Sequence, residues 1–526
     1  MERIVRITNE HPRWVALLCG AIAALGYPPV GLWPVGIAGV AGLLWLLLGA
    51  NGWREAAMRG WLFGVAHFTL TNNWIATAFT HQAEMPAAMG WVAVPLLSLY
   101  LAIYPALAAG VARALIRKPA TLPVTLLLAA TWIVAEWLRS WVFSGYAWGP
   151  LSLMLVGPYD RPGIALLLPY TGTYALSALV ILLAGLALWL AKARKWLPLG
   201  GAALAAALAM YLPQPAARPG PLALTLVQPD LRQAEMNDGT KFEEQFQRLA
   251  RLSRPAREFE QRLVLWPESA VPDYLEPGYP QRYYDRMTAG GDPLLARLRI
   301  AGAIGQDSLL LTGAVDLEID EDENGYLRAL GAYNSITAIG DEGAIVGSYA
   351  KAHLVPGGEY LPLRGLLEPL GLTRLVAGAL DFIPGPGPLT LDLGPWGEAG
   401  MQICYEIVFS GETVDPANRP DYIFNPSNDG WFGLWGPPQH LAQARMRAIE
   451  EGLPVLRSTT TGVSAVIDAN GVVRSHIGMN RADRIDGQVP LAKSPTLFAR
   501  AGHWLTGLWA LGFFLIWLVA TRRRRG

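Results

Sequence analysis

LPLGGAALAAALAMYL (Leu197–Leu212), PQPAARPGP (Pro213–Pro221) and LALTLV (Leu222–Val227) follow one another without a break, and the change of solvent they imply decides the fold. The first stretch carries no charge, and a helix that crosses a bilayer takes about 20 mostly apolar residues. The second has four prolines in nine residues and reads as a linker. The third opens a long series of short β-type runs. One half of the chain is written for lipid and the other for water.

Towards the N-terminus six further apolar segments precede this junction: Trp14–Tyr27, Leu32–Ala50, Ala56–Phe79, Met89–Ile116, Leu122–Val142 and Ile164–Ala191. Another, Trp504–Ala520, closes the chain. The expected organisation is a seven-span transmembrane domain over 1–213 and a C-terminal transmembrane helix over 504–520. A cleaved signal peptide would account for the first segment alone. With 52% hydrophobic and 16% charged residues over 526 positions, the chain is too apolar for an ordinary soluble enzyme of this size. Its formal net charge is zero, which gives no pull towards nucleic acid.

Arg and Lys collect in alternate loops: Arg3, Arg6 and Arg13, then Arg54, then Arg113, Arg117 and Lys118, then Lys192, Arg194 and Lys195. The loops between them, around Pro28, His81–Glu84 and Gly145–Arg161, carry almost no positive charge. Positive loops stay in the cytoplasm, so both termini, with the tail Arg522–Arg525, are expected there. The segment after Leu212 is then outside. Trp141, Tyr146 and Trp148 make the Ser140–Pro162 loop rich in interfacial aromatics, a seat for the outer domain or a plain aromatic belt. Glu136 and Arg139, one helical turn apart, are spaced for a local ion pair.

From Leu222 to about Ser494, strand candidates are Leu222–Val227, Leu263–Trp266, Leu309–Val315, Tyr333–Ile339, Ile345–Tyr349, Gly400–Cys404, Tyr422–Asn425, Val455–Ser458 and Ser464–Asp468. Asp341-Glu342-Gly343 and Asn470-Gly471 read as hairpin turns. Lys241–Leu252 and Gln439–Glu451 have helical periodicity. Helices between strands predict a layered sheet domain.

Three segments each place a reactive side chain just past a strand. In LVLWPE, Pro267 cannot donate to a sheet ladder, so Glu268 emerges at a strand mouth. In YAKAHLVPGGEY, Lys351 ends a strand and a Pro-Gly-Gly turn presents Glu359. Lysine is almost never buried unless paired, and Glu268 and Glu359 are the candidate partners. In MQICYE, Cys404 follows a short apolar strand and should sit at the sheet edge. A free thiol has a pKa of about 8.5 and needs a base or a cation to become a nucleophile. Taken singly, the same residues read as a loop carboxylate, a surface charge and a small buried hydrophobe. Cys19, inside an apolar segment, reads as buried and inert.

Together these segments resemble the nitrilase superfamily of carbon–nitrogen hydrolases, which carries a Glu–Lys–Cys triad on an αββα sandwich. The resemblance rests on WPES (Trp266–Ser269), YAKAHLVPGGEYLP (Tyr349–Pro362), CYE (Cys404–Glu406), NPSNDGWFG (Asn425–Gly433) and RMRAIEEGLPVLRSTTTGVSAVIDANG (Arg445–Gly471). With the apolar half, the whole chain resembles the apolipoprotein N-acyltransferase family. That resemblance implies a multi-span α-helical membrane domain plus an α+β nitrilase-like αββα sandwich over 222–494 on the periplasmic side of a bacterial inner membrane. It implies Cys404 as nucleophile, Glu268 as general base and Lys351 as oxyanion donor. Glu359 and Glu406 would support Lys351, while Tyr405, Trp431 and Asn334 would shape the pocket.

The acyl donor would be a phospholipid, typically phosphatidylethanolamine, and the acceptor the α-amine of a diacylglyceryl-cysteine lipoprotein. No cofactor or metal is expected: there is no HExxH, no paired cysteine spacing and no Gly-rich phosphate loop after a strand. Two rivals share some of these features. A membrane-tethered amidase that hydrolyses a C–N bond needs only one helix as tether. A transporter that has lost catalysis would have no use for an intact Glu268, Lys351 and Cys404, and ion-coupled transport calls for more intramembrane charge.

Overall fold

In the computed structural model, residues 10–81, 86–143, 145–215, 217–255, 259–321, 323, 325–370 and 380–522 are described. Arg3, Arg6, Glu84 and the arginines at 523–525 lie outside them.

Each apolar segment is mainly helical. The N-terminal half contains α1 (Pro12–Ala24), α2 (Trp33–Leu48), α3 (Trp53–Thr71), α4 (Gly90–Leu101), α5 (Ile103–Ala114), α6 (Thr121–Trp141), α7 (Leu168–Lys192) and α8 (Trp196–Met210). Among the described residues, four helical stretches are long and apolar enough to cross a membrane: Ala87–Ala114, Thr121–Trp141, Ile164–Lys192 and His503–Arg522. Pro12–Ala24, Trp33–Leu48 and Trp196–Met210 are shorter apolar helices.

Small residues let these helices approach closely, as bilayer packing favours. A side chain on Gly20 of α1 would collide with the Phe63 carbonyl of α3. Cys19 is buried against Gly42 of α2.

The structure trims three expected segments. Ala56–Phe79 is helical only to Thr71, where Asn72 and Asn73 turn the chain. Met89–Ile116 is two helices that meet at Ala102. The Ile164–Ala191 segment begins as a 3-10 turn and bends at Gly172.

The C-terminal half is an αββα sandwich of two six-stranded sheets. The first has the order β12-β1-β2-β3-β4-β5 and contains β1 (Pro219–Gln228), β2 (Arg262–Leu265), β3 (Ser308–Glu321), β4 (Leu327–Gly340), β5 (Ile345–Ala350) and β12 (Asp483–Pro490). The second, in the order β11-β10-β9-β8-β7-β6, contains β6 (Thr390–Asp392), β7 (Glu398–Met401), β8 (Tyr422–Ser427), β9 (Val455–Thr459), β10 (Ser464–Ile467) and β11 (Val473–Ile477). β1–β2–β3 and β7–β8–β9 run parallel, and the outer pairs are antiparallel. Leu224, Leu263 and Leu309 of one sheet share a core with Met401, Phe424 and Leu456 of the other.

On the outer face of the first sheet, Val264, Trp266 and Leu310 pack against α9 (Phe242–Ser253) and α10 (Pro293–Ile304). On the second sheet lies α11 (Gly436–Glu451), every residue of which except Pro438 is buried. Its Leu441, Ala444 and Ala448 belong to the sheet core, and its Ala442, Met446 and Ile449 to the core of the membrane half. One helix thus joins two cores. The chain then returns through α12 (His503–Arg522).

The 142–163 loop provides the seat. Trp148 Nε1 donates to Gln439 Oε1 at 2.9 Å, Gly149 N to Gln443 Oε1 at 3.0 Å, and Tyr146 OH to Asn72 Oδ1 at 2.9 Å. Trp141, by contrast, is half exposed. Glu136 and Arg139 do not pair with each other; both are spent on this loop. Glu136 accepts from Leu151 N at 2.8 Å, and Arg139 donates to the Trp148 carbonyl at 2.8 Å.

Candidate active site

Both sheets deliver side chains at the carboxyl ends of strands, where open α/β sheets leave a crevice. After β2 the chain passes through Trp266 and Pro267 to Glu268. A Cβ at position 313 of β3 would strike Pro267–Ser269, so Gly313 is what lets this segment lie across the strand. Gly313 N donates to the Pro267 carbonyl, and Ala270 N to the Gly313 carbonyl, each at 3.1 Å. Lys351 directly follows β5, and its backbone N donates to the Asn334 carbonyl of β4 at 2.9 Å.

The expected Gly400–Cys404 strand stops at Met401. Gln402 N makes a last bond to the Phe424 carbonyl of β8 at 3.0 Å, and Cys404 then opens a 3-10 turn to Val408. β7 is an interior strand, so the thiol stands past a strand end rather than at a sheet edge. Cys404 and Ser269 both have left-handed backbone, with φ of 51° and 50°. For non-glycine residues such strain costs roughly 1–3 kcal/mol and persists only where the surroundings enforce it.

Glu268, Lys351, Glu359 and Asn334 form one buried cluster. Lys351 Nζ lies 3.0 Å from Glu359 Oε1 and 3.6 Å from Glu268 Oε1. Asn334 Nδ2 donates to Glu268 Oε1 at 2.7 Å and to Glu359 Oε1 at 2.8 Å, holding the two carboxyl groups either side of the ammonium. Their other oxygens accept from backbone: Asn428 N to Glu268 at 2.6 Å, and Val355 N to Glu359 at 2.7 Å.

Burial opposes the charge of Lys351, but Glu359 and then Glu268 outweigh it and hold its pKa above the ordinary value. The lysine is a fixed cation. Burial, followed by the charge of Glu268, raises the Cys404 thiol well above its ordinary pKa, with Lys351 opposing. The resting thiol is protonated.

Glu406 serves the same site through the backbone. Its Oε1 accepts from Tyr349 OH and Ala352 N at 2.7 Å each, and its Oε2 from Ile403 N at 2.7 Å. One carboxyl group therefore ties the lysine-bearing loop to the turn of the cysteine, and burial raises its pKa. Tyr405 is buried against Phe409, and its hydroxyl has no hydrogen-bond partner among the described residues. Trp431 makes its ring contact with His81 of the membrane half, 6.0 Å away.

Sequence reasoning missed a second buried polar group behind the thiol: Asp429, His440 and Arg457, all fully enclosed. Asp429 lay in the string NPSNDGWFG and His440 in the predicted 439–451 helix, but helical periodicity gives no sign that they meet.

With this geometry in hand, residues 226–494 match the family model described as carbon-nitrogen hydrolase. The class is that of a nitrilase-superfamily domain carried on a membrane helical region. Residues 19–186 match the apolipoprotein N-acyltransferase N-terminal domain. The apolipoprotein N-acyltransferase of Rhodopseudomonas palustris is 34% identical, over 93% of this chain and 91% of its own. That of Caulobacter vibrioides is also 34% identical, over 90% of this chain and 88% of its own. Among solved structures, an amidase from Nesterenkonia sp. is 18% identical over 52% of this chain and 92% of its own, with a TM-score of 0.34. The chain belongs to the apolipoprotein N-acyltransferase family.

Proposed function

We propose that the protein transfers a fatty acyl group from a membrane phospholipid to the N-terminal α-amine of a diacylglyceryl-cysteine apolipoprotein, through a thioester on Cys404. The observation that carries this reading is a buried cysteine on a left-handed turn, within reach of the charges of a carboxyl–lysine–carboxyl cluster, in a domain mounted on apolar helices. Glu268 takes the thiol proton as Sγ attacks the ester carbonyl of the lipid. The Lys351 ammonium, which Glu359 and Asn334 hold in place, donates to the developing oxyanion; a donor fixed in advance needs no reorganisation at that moment. As the intermediate collapses, Glu268 passes the proton to the departing glycerol oxygen, and a lysophospholipid leaves. In the second half the free amine attacks the thioester, Glu268 removes a proton from nitrogen, and it returns that proton to the departing thiolate. Splitting the reaction in two lets one nucleophile serve two bulky lipids in turn.

Phosphatidylethanolamine is the donor in this reading. The protein sits in a bacterial inner membrane with both termini cytoplasmic and the 222–494 domain periplasmic. Residues 1–213 make seven spans and 504–520 the eighth. The alternation of Arg and Lys between loops supports that orientation.

Intact-mass measurement after incubation with phosphatidylethanolamine tests the thioester. A fatty-acyl adduct is expected on Cys404, sensitive to neutral hydroxylamine and absent from Cys404→Ala. No adduct, together with hydrolysis of small amides, would replace this reading with that of a membrane-tethered amidase.

A further inference from the structure

The thiol is held from behind. His440 Nε2 lies 3.0 Å from the Cys404 carbonyl oxygen, and its Nδ1 lies 2.9 Å from Asp429 Oδ1 and 3.0 Å from an Arg457 nitrogen. Arg457 donates to both oxygens of Asp429, at 2.9 and 2.8 Å, and to Ser427 Oγ of β8 at 2.8 Å. Such a buried polar network rigidifies its members only when it is satisfied, and it is costly otherwise.

A backbone carbonyl can only accept, so Nε2 must carry a proton whether the ring is neutral or charged. Burial, followed by the charge of Arg457, lowers the His440 pKa. With its one proton on Nε2, a neutral ring donates to Cys404 and accepts from Arg457 at Nδ1, and Asp429 orients the ring by gripping that guanidinium; a charged ring donates to Asp429 as well. The clamp on the cysteine is the same in either state.

We infer that His440, oriented by Asp429 and Arg457, is a positioning residue for the nucleophile: its hydrogen bond to the Cys404 carbonyl holds the residue in its left-handed conformation and so aims Sγ at the Glu268–Lys351 pair. The inference rests on Cys404 being the acylated residue. Two observations beyond the hydrogen bond support it. The φ of 51° at Cys404 needs an enforcing contact, and the carbonyl adjoining that strained residue accepts from this imidazole. The clamp is also mounted on α11, whose neighbouring Gln439 grips the membrane half by donating to the Thr71 carbonyl at 3.1 Å and accepting from Trp148. The helix that seats the domain on the lipid-facing half therefore also sets the nucleophile, and displacement along this seam is transmitted to Sγ.

The two amides separate this role from simple packing. Glutamine carries its nitrogen at about the reach of Nε2, and asparagine at that of Nδ1. In the full-length protein with phosphatidylethanolamine, the rate of acyl-adduct formation would be followed across lipid concentrations, with thermal unfolding in parallel. His440→Asn is expected to slow the saturated rate by about tenfold or more, since small misplacements of a reacting group are that costly. The half-saturating lipid concentration should stay within about twofold, and His440→Gln should remain within about fivefold of the unaltered protein.

Equal rates for the two variants at matched unfolding temperatures would overturn the inference, as would a loss confined to half-saturation. Should the Asn variant not fold, the Gln variant alone decides, and a rate below about a tenth of the original counts against the clamp. If the unaltered protein forms no adduct, the thioester reading itself has failed and this inference falls with it.

Discussion

Helices α9 and α11 cover opposite faces of the sandwich and solve the same packing problem in different solvents. α9 buries Gln245, Leu249, Ala250 and Ser253 on the first sheet and turns Glu243, Glu244 and Arg251 to water. α11 has an equally polar second face, but no water reaches it. Arg445 donates to the carbonyls of Gly157, Pro158, Arg161 and Gly471, and Glu450 accepts from Thr173 and Ser410 and pairs with Arg447 at 2.9 Å. In α9 a charged residue marks the surface; in α11 it marks the seam between the two halves. Polarity alone does not reveal exposure. What matters is whether a second body supplies the missing partners.

The largest effect is expected at Glu450. Glu450→Ala leaves the Arg447 guanidinium buried without its anion, and breaking such a pair costs about 3–5 kcal/mol. A large drop in the thermal midpoint is expected in detergent, accompanied by loss of acyl transfer. Arg445→Ala follows. It strands several carbonyls at once and should cost about 2–4 kcal/mol by the same measurement, because an unsatisfied buried acceptor forfeits its full solvation.

A smaller effect is expected from pH. Burial, followed by the charge of Glu450, raises the Glu451 pKa to about 7 from the ordinary 4.5. A carboxyl group with a raised native pKa gives its full contribution below the unfolded value and loses it as pH rises through the native one. The protein should therefore be more stable at acid pH than on the alkaline side of that value. Glu451→Gln, neutral throughout, should flatten the dependence and raise the alkaline midpoint; an unchanged pH profile would contradict this placement. Least of all, Arg251→Ala on the exposed face of α9 should stay within about 0.5 kcal/mol.

Much of this architecture was legible because periodicity reports burial against one neighbour. The apolar runs, the buried halves of β3 and β4 and both hairpin turns are of that kind; the outer halves of those strands, residues 316–321 and 327–332, were not foreseen. β12 escaped notice because DRIDGQVP is an edge strand with several exposed positions, and charges that protect an edge also erase its alternation. α10 escaped too, although Asp292 caps it by accepting from Leu294 N and Pro293 stands in its first turn. The break after Thr71 and the bend at Gly172 were hidden inside runs read as continuous.

At the site, Glu268, Lys351 and Cys404 stood out through their neighbouring strings, while the pairing of Lys351 with Glu268 and Glu359 had to be seen. Glu406 was foreseen as support for Lys351, but its reach to Ala352 and Ile403 was not. His440, Asp429 and Arg457 could not be singled out, because each is an ordinary polar residue until the fold removes its water.

The most direct test of acyl transfer is the fate of a preformed acyl-enzyme. Protein loaded with a labelled acyl chain on Cys404 would be offered a diacylglyceryl-cysteine peptide in water, and the label would be traced. Nearly all of it is expected to move to the peptide's α-amine, with little free fatty acid and only slow discharge when no peptide is present. Rapid release as free fatty acid, unaffected by the peptide, would contradict it.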